Sequence, residues 1–277
     1  MIITKKWIEN QLKFCEIKKI VGLQRNHLSL KLWTEYCFIL FQQVEKQKTF
    51  INLHQKFKRR FKVEYSTFMH HLHQAAKLIQ FLNLRFNKTN RIQPTRDYNI
   101  IDSTLIPTKN AESINGKDYV TGRVTLRPSK IGKGNYKISG FKGLVFLNSK
   151  KQIVSSRLLN INTSDHAILK DSAYWLHDFP EGSIVLADRG FSSKLSSQRV
   201  ANLGLKLLSP PHYKQATHLT QKEWKIYSRR WAIETTFQNM KYAYSECKLV
   251  LRGKTTQAIK TAQFYCAVIN YNCLNLG

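Results

Sequence analysis

Three acidic residues stand where phosphoryl-transfer chemistry could be done. Asp102 closes the short apolar run Tyr98-Asn99-Ile100-Ile101, and Asp188 closes Ser183-Ile184-Val185-Leu186-Ala187. Short apolar runs of this kind read as buried strands, which places both carboxylates at strand ends. Glu234 follows Tyr227-Ser228-Arg229-Arg230-Trp231-Ala232-Ile233, a stretch that reads as helix. Two carboxylates at strand ends and a third on a later helix supply the oxygen ligands that a pair of hard divalent cations prefers. Two such ions can activate an attacking oxygen and stabilise a leaving one. The chain carries 45 Lys and Arg against 17 Asp and Glu, a formal charge of +28. Cationic side chains on phosphates release condensed counterions, so the substrate implied for that chemistry is nucleic acid.

The elements that must position these residues follow from the rest of the chain. Its 277 residues suffice for one large or two small domains. Apolar residues make up 42%, ordinary for a globular core. The longest apolar stretches, such as Cys37-Phe38-Ile39-Leu40-Phe41, fall far short of the about 20 residues of a membrane span. The start, Met1-Ile2-Ile3-Thr4-Lys5-Lys6, does not read as a secretory signal. Five cysteines without a C-x-x-C pair read as reduced thiols of a cytoplasmic protein.

The pattern changes near Arg96. Residues 1–95 read as an all-helical region, expected to bind DNA. Phe68, Leu72, Ala75, Ile79 and Leu82 recur at helical spacing, with Ser66 as a candidate cap. The basic, aromatic run Gln55–Lys62 lies just upstream. Helix, basic turn and helix could form a helix-turn-helix reader, or a basic bundle without base specificity. Residues 96–277 read as a mixed α/β region: a strand to Asp102, then a basic loop over 108–136 with Lys117, Arg123, Arg127, Lys130 and Lys133. A hairpin follows, 143–147 and 152–159 about the turn Asn148-Ser149-Lys150. A helix capped around Thr163-Ser164-Asp165, a strand to Asp188, a strand over 205–208 and two long helices complete the order.

On a helix turning about 100° per residue, with Tyr227 at 0°, Arg230, Glu234 and Lys241 fall at roughly −60°, −20° and −40°. The four form one narrow polar stripe beside the apolar Ile233, Phe237 and Met240. Read alone, the stripe is a solvated face with an Arg230–Glu234 pair worth about 0.2–0.5 kcal/mol.

The spacing Tyr-x2-Arg-x3-Glu-x6-Lys resembles the signature of bacterial insertion-sequence transposases with an RNase H-like DDE catalytic domain. Tyr227, Arg230, Glu234 and Lys241 match it without a gap. Ile101-Asp102-Ser103-Thr104, Ala187-Asp188-Arg189-Gly190-Phe191 and Gly140-Phe141-Lys142 resemble that group too. Arg189 stands where Lys is usual, Phe191 where Tyr is usual, and Ile161-Asn162 where Gly-Asn is usual. Asp165 matches an acidic position of the pattern.

The resemblance implies an RNase H-like five-stranded mixed sheet flanked by helices. It implies Asp102, Asp188 and Glu234 as catalytic residues and ligands of two Mg²⁺ ions, with Mn²⁺ able to substitute. Tyr227, Arg230, Lys241, Arg189 and Lys142 would contact DNA. The implied reactions are cleavage at transposon ends and strand transfer into target DNA, by a homo-oligomer on paired ends acting at the bacterial nucleoid. A catalytically inactive, transposase-derived DNA-binding protein and an RNase H-like nuclease remain as alternatives.

Other signals read as structural. His70, His71 and His73 do not share one helical face. Asp165 could approach the site, but helix capping explains it better. Gly132-Lys133-Gly134 lacks the surroundings of a nucleotide loop. Trp175, Trp224 and Trp231 read as packing residues.

Overall fold

The computed structural model describes residues 3–22, 28–46, 49–107, 122–126, 136–210, 219–242 and 257–276. The chain folds into two units. One holds residues up to Arg91 together with Asn239 onward; the other holds Ile92–Pro107 and the stretch to Gln238.

The first unit is helical: α1 (Lys5–Leu12), α2 (Ile17–Val21), α3 (Leu30–Lys46), α4 (Phe50–Phe61), α5 (Tyr65–Thr89) and α10 (Gln257–Leu274). The Phe68–Leu82 stripe of α5 is buried as its period requires. The last helix, α10, packs with α3 and α5. This unit is thus built from both ends of the chain, whereas the sequence division near Arg96 carries the second region to 277.

The basic run falls on α4 rather than in a turn. Phe57 is buried against Tyr36 and Phe68, with ring centroids 4.9 and 5.4 Å away. Lys56, Lys58, Arg59 and Arg60 face outward. Lys62, with φ 52°, ends α4, and three residues separate it from α5. That helix begins at Tyr65 with Glu64 at its cap position, two residues before the Ser66 expected to cap it, so Ser66 lies inside the first turn. Each of the three histidines has its own partner: Tyr36 Oη for His71, Gln74 for His70 and the Met69 carbonyl for His73.

The second unit is a mixed sheet. Its strands are β1 (Tyr98–Pro107), β2 (Gly122–Leu126), β3 (Tyr136–Asn148), β4 (Ile153–Asn160), β5 (Ile184–Ala187) and β6 (Lys206–Leu208). The order β4–β3–β1–β5–β6 makes five, with β1, β3 and β4 antiparallel and β1, β5 and β6 parallel. A sixth strand, β2, pairs with the start of β3 from Gly122–Gly140 to Leu126–Tyr136. It occupies part of the expected basic loop; the rest of that loop lies outside the described residues. The expected hairpin is β3–β4.

Two helices, α6 (Asp165–Ser172) and α7 (Lys194–Ala201), follow β4 and β5. Alternation along β1 sends Ile101 to one face of the sheet and Ile100 and Asp102 to the other. Ile101, Leu144, Phe146, Val185 and Ala187 form a core with Ile168 and Leu169 of α6 and Val200 of α7. Phe146 meets Phe179 edge-on at 5.9 Å.

The expected long helix near Glu234 comes in pieces. Helix α8 (Gln221–Tyr227) runs through a 3-10 turn, Ser228–Arg230, into α9 (Trp231–Tyr242). Backbone angles at Tyr227, Ser228 and Trp231 all stay right-handed helical, so the chain keeps its course.

Candidate active site

Asp102 lies within β1, not at its end: it pairs with Val145, and pairing continues to Pro107. It is nevertheless beside the end of β5. Ile101 is the register partner of Ala187, and adjacent strands lie about 4.8 Å apart. The next residues along, Asp102 and Asp188, are therefore neighbours where the parallel pair stops.

Local bonds orient both carboxylates. Asp102 Oδ1 accepts from the Ser103 amide at 2.7 Å. Asp188 Oδ1 accepts from the Arg189 amide at 2.8 Å, capping the 3-10 turn Arg189–Phe191. The Ser209 hydroxyl donates to the Asp188 carbonyl at 2.9 Å, tying this turn to the end of β6.

The helix that brings Glu234 is fixed at its start. Thr220 and Glu223 form a reciprocal capping box on α8. The Glu223 carboxylate also accepts from Lys206 Nζ of β6 at 2.8 Å. That bond, first, and those from Thr220 pull its pKa down to about 2. Arg230 then reaches across. Its Nη1 donates to Asp102 Oδ2 at 2.9 Å and its Nη2 to Glu234 Oε1 at 3.3 Å. The guanidinium stands 5.9 Å from the Tyr227 ring centroid and is only 14% exposed.

Burial is the main cause that pushes the Asp102 carboxyl up to about 6. The Ser103 amide and Arg230 act against it, while Asp188 and Asp165 add to it. Burial likewise raises the Tyr227 hydroxyl. Arg230 is held protonated beyond its ordinary strength: burial opposes this, but Tyr227 and the three carboxylates outweigh it.

Among the described residues, no three His, Cys, Asp or Glu side chains group closely enough to hold a metal ion. Arg230 is bonded to both Asp102 and Glu234. The donors themselves are all carboxylate oxygen, as a hard cation prefers, and burial strips water from the Asp102 carboxyl. The residues thus fit such an ion in kind.

The other expected contacts divide. Arg189 is exposed beside Asp188. Lys142, on β3, is instead paired: its Nζ lies 3.0 Å from Asp165 Oδ1 and its side chain is 12% exposed. Lys241 lies within α9, but its side chain is outside the described residues. Trp175 packs against the sheet core as expected. Trp224 and Trp231 do not: they are 49% and 66% exposed on α8 and α9.

Asp165 is not the cap that the sequence suggested. Ser164 takes the capping role, its hydroxyl accepting from the Ala167 amide at 3.2 Å. Asp165 is released to accept from Ser103 Oγ at 2.7 Å and from Lys142. The acidic match of the motif pattern was the only signal for this.

A mixed sheet in this strand order, flanked by helices and with Asp102 and Asp188 on adjacent strands, is an RNase H-like α/β fold. Residues 93–270 match the family described as the transposase DDE domain. The chain belongs to that family and is a transposase. No curated protein matches it in sequence. Its fold is similar to the piggyBac transposase in a synaptic complex with hairpin DNA: TM-score 0.52, 12% identity, covering 99% of this chain and 76% of that one. The Mos1 strand transfer complex aligns at TM-score 0.31 and 14% identity, over 100% of this chain and 96% of that one. No helix among the described residues is long and apolar enough to cross a membrane.

Proposed function

We propose that this transposase cleaves DNA at transposon ends and transfers the freed strand into target DNA, through Asp102, Asp188 and Glu234. The observation that carries this reading is the Asp102–Asp188 pair on adjacent parallel strands, linked to Glu234 through Arg230. The three carboxylates would hold two Mg²⁺ or Mn²⁺ ions, which when bound supply Lewis acidity at phosphorus and a lowered pKa for the attacking oxygen.

Asp102, hydrogen-bonded by Ser103 and flanked by Asp188, would be among the ligands of such ions. Arg230 exchanges its carboxylate partners for a DNA phosphate, which its planar fork can grip at two oxygens. Tyr227 and Arg189 flank the same strand, and Lys241, one stripe position on, extends the contact. In cleavage, water oxygen forms a bond to phosphorus as the bond to the 3′ oxygen breaks; that oxygen leaves as the 3′ hydroxyl after taking a proton. In transfer, this 3′ hydroxyl is the attacking group and a second 3′ oxygen leaves. Each event makes one P–O bond and breaks one, with no covalent enzyme intermediate. The excess positive charge of the chain supports DNA as partner. A homo-oligomer on paired ends, working at the nucleoid, completes the reading.

Arg230 lodged between Asp102 and Glu234 favours one second reading, a DNA-binding protein of this family that no longer cuts. Asp188→Asn separates them. On a plasmid carrying the coding segment with its flanking DNA, the variant should lose Mg²⁺-dependent nicking and keep DNA affinity. Equal nicking by wild type and variant would defeat the catalytic assignment; nicking by neither would favour the second reading.

A further inference from the structure

We propose that Asp165 is a positioning residue for the Asp102–Asp188 pair, acting from the opposite face of the sheet. This rests on the catalytic reading above for its purpose, though not for its geometry. Residues alternate across a strand, so Ser103 points away from the face that carries Asp102. Ser103 and its neighbour on that face, Leu105, oppose Leu144 and Lys142 of β3. Asp165 meets both polar side chains there: its Oδ1 accepts from Ser103 Oγ at 2.7 Å and from Lys142 Nζ at 3.0 Å. It therefore stands behind Asp102 rather than beside it.

Asp165 also touches the turn that Asp188 caps. A Cβ built on Gly190 would lie 3.1 Å from Asp165 Oδ2 and 3.4 Å from its Cβ. Gly190 has no positive φ that would call for glycine; what its missing side chain leaves is room for this carboxylate. One side chain thus braces the residue after Asp102 and the second residue after Asp188.

The helix carrying it is well suited to the task. Ser164 caps α6, and Ile168 and Leu169 anchor the helix in the sheet core. The carboxylate is 29% exposed and Lys142 only 12%, so the pair is sheltered enough to hold one geometry. Each bond has a consequence for the site. The Ser103 amide is the donor to Asp102 Oδ1, and the Arg189 amide is the donor to Asp188 Oδ1. Fixing Ser103 and Gly190 fixes those two donors. Residues that orient metal ligands in this indirect way commonly change metal affinity by about 10–100-fold when removed.

The test uses the full chain without metal, comparing Asp165→Ala, Asp165→Asn and Gly190→Ala with wild type by amide hydrogen exchange. Asp165→Ala should speed exchange about tenfold in peptides covering Ser103 and Arg189, through local opening. Peptides covering the β3–β4 turn should not change. Asp165→Asn keeps an acceptor oxygen and should restore most of the protection, while Gly190→Ala should fall between, because its methyl displaces the carboxylate. Unchanged exchange at both peptides in Asp165→Ala, or the same loss at every sheet peptide, would overturn the proposal. Mn²⁺ affinity, read by calorimetry, gives the second arm: Asp165→Ala should bind at least about tenfold more weakly than wild type. Equal affinity would refute a role in positioning. Should wild type bind no Mn²⁺, the catalytic reading fails, and the exchange result still decides the role of Asp165.

Discussion

Replacing Asp102 with Asn should change how stability depends on pH by a calculable amount. The Asp102 carboxyl is pushed from an ordinary 3.8 up to about 6, chiefly by burial. Its folded pKa is above its unfolded one, so between these values the folded state holds more protons than the unfolded state. Stability from this group therefore falls as pH rises through about 4 to 6. Below that window the neutral carboxyl costs nothing; above it, the buried charge carries its full penalty. The interval from 3.8 to about 6, at about 1.4 kcal/mol per pH unit, amounts to about 3 kcal/mol. With its side chain 16% exposed, solvent trims this only modestly. Asn keeps one acceptor oxygen, enough for the Ser103 amide, turns an NH2 toward Arg230 in place of the second oxygen, and does not titrate. Urea denaturation of both proteins, in chelator, at steps between about pH 4 and 7, isolates the effect because other titrating groups cancel in the difference. The variant should gain about 2–3 kcal/mol over wild type across that range. A constant difference would refute the claim that burial raises the Asp102 carboxyl.

Arg230→Gln should bind Mn²⁺ more tightly than wild type in the absence of DNA, by about tenfold, because a charge-assisted competitor for Asp102 and Glu234 is gone. Calorimetry reads this, and weaker binding would show that the arginine assembles the site rather than filling it. The same variant should bind DNA more weakly. Affinity of the wild type for duplex DNA should fall by about 10³-fold or more between 50 and 200 mM salt, as phosphate-dominated binding does; a flat dependence by fluorescence anisotropy would contradict the electrostatic account.

Elements whose signal is local were legible in the sequence. The β3–β4 hairpin follows from two apolar runs about a polar turn, and the α6 cap from Ser164. The Asp102–Asp188 adjacency follows from two short apolar runs that pair in parallel, each followed by an acid. Long-range partnerships were not legible. Asp165 has a sufficient local explanation as a capping acid, and its true partners are 62 and 23 residues away. Lys142 read as a free cation for the same reason. The extension of β1 to Pro107 depends on pairing with β3, since Asp102-Ser103-Thr104 has no apolar run of its own. Trp224 and Trp231 are large apolar residues on helices that begin and end the polar stripe. Only the finished fold shows that they face outward. The motif spacing succeeded where composition could not, because Tyr227, Arg230 and Glu234 share a stripe whether the helix runs straight or through the 3-10 turn at Ser228–Arg230.

The central claim is that the three carboxylates hold the ions at which DNA is cut. Anomalous scattering from Mn²⁺ in crystals of the chain with a duplex from its own flanking DNA tests it most directly. Two peaks are expected, both in contact with Asp102, one shared with Asp188 and one with Glu234, with Arg230 moved onto a phosphate. Peaks elsewhere, or Arg230 still bonded to Asp102 and Glu234 with no peak beside them, would contradict it.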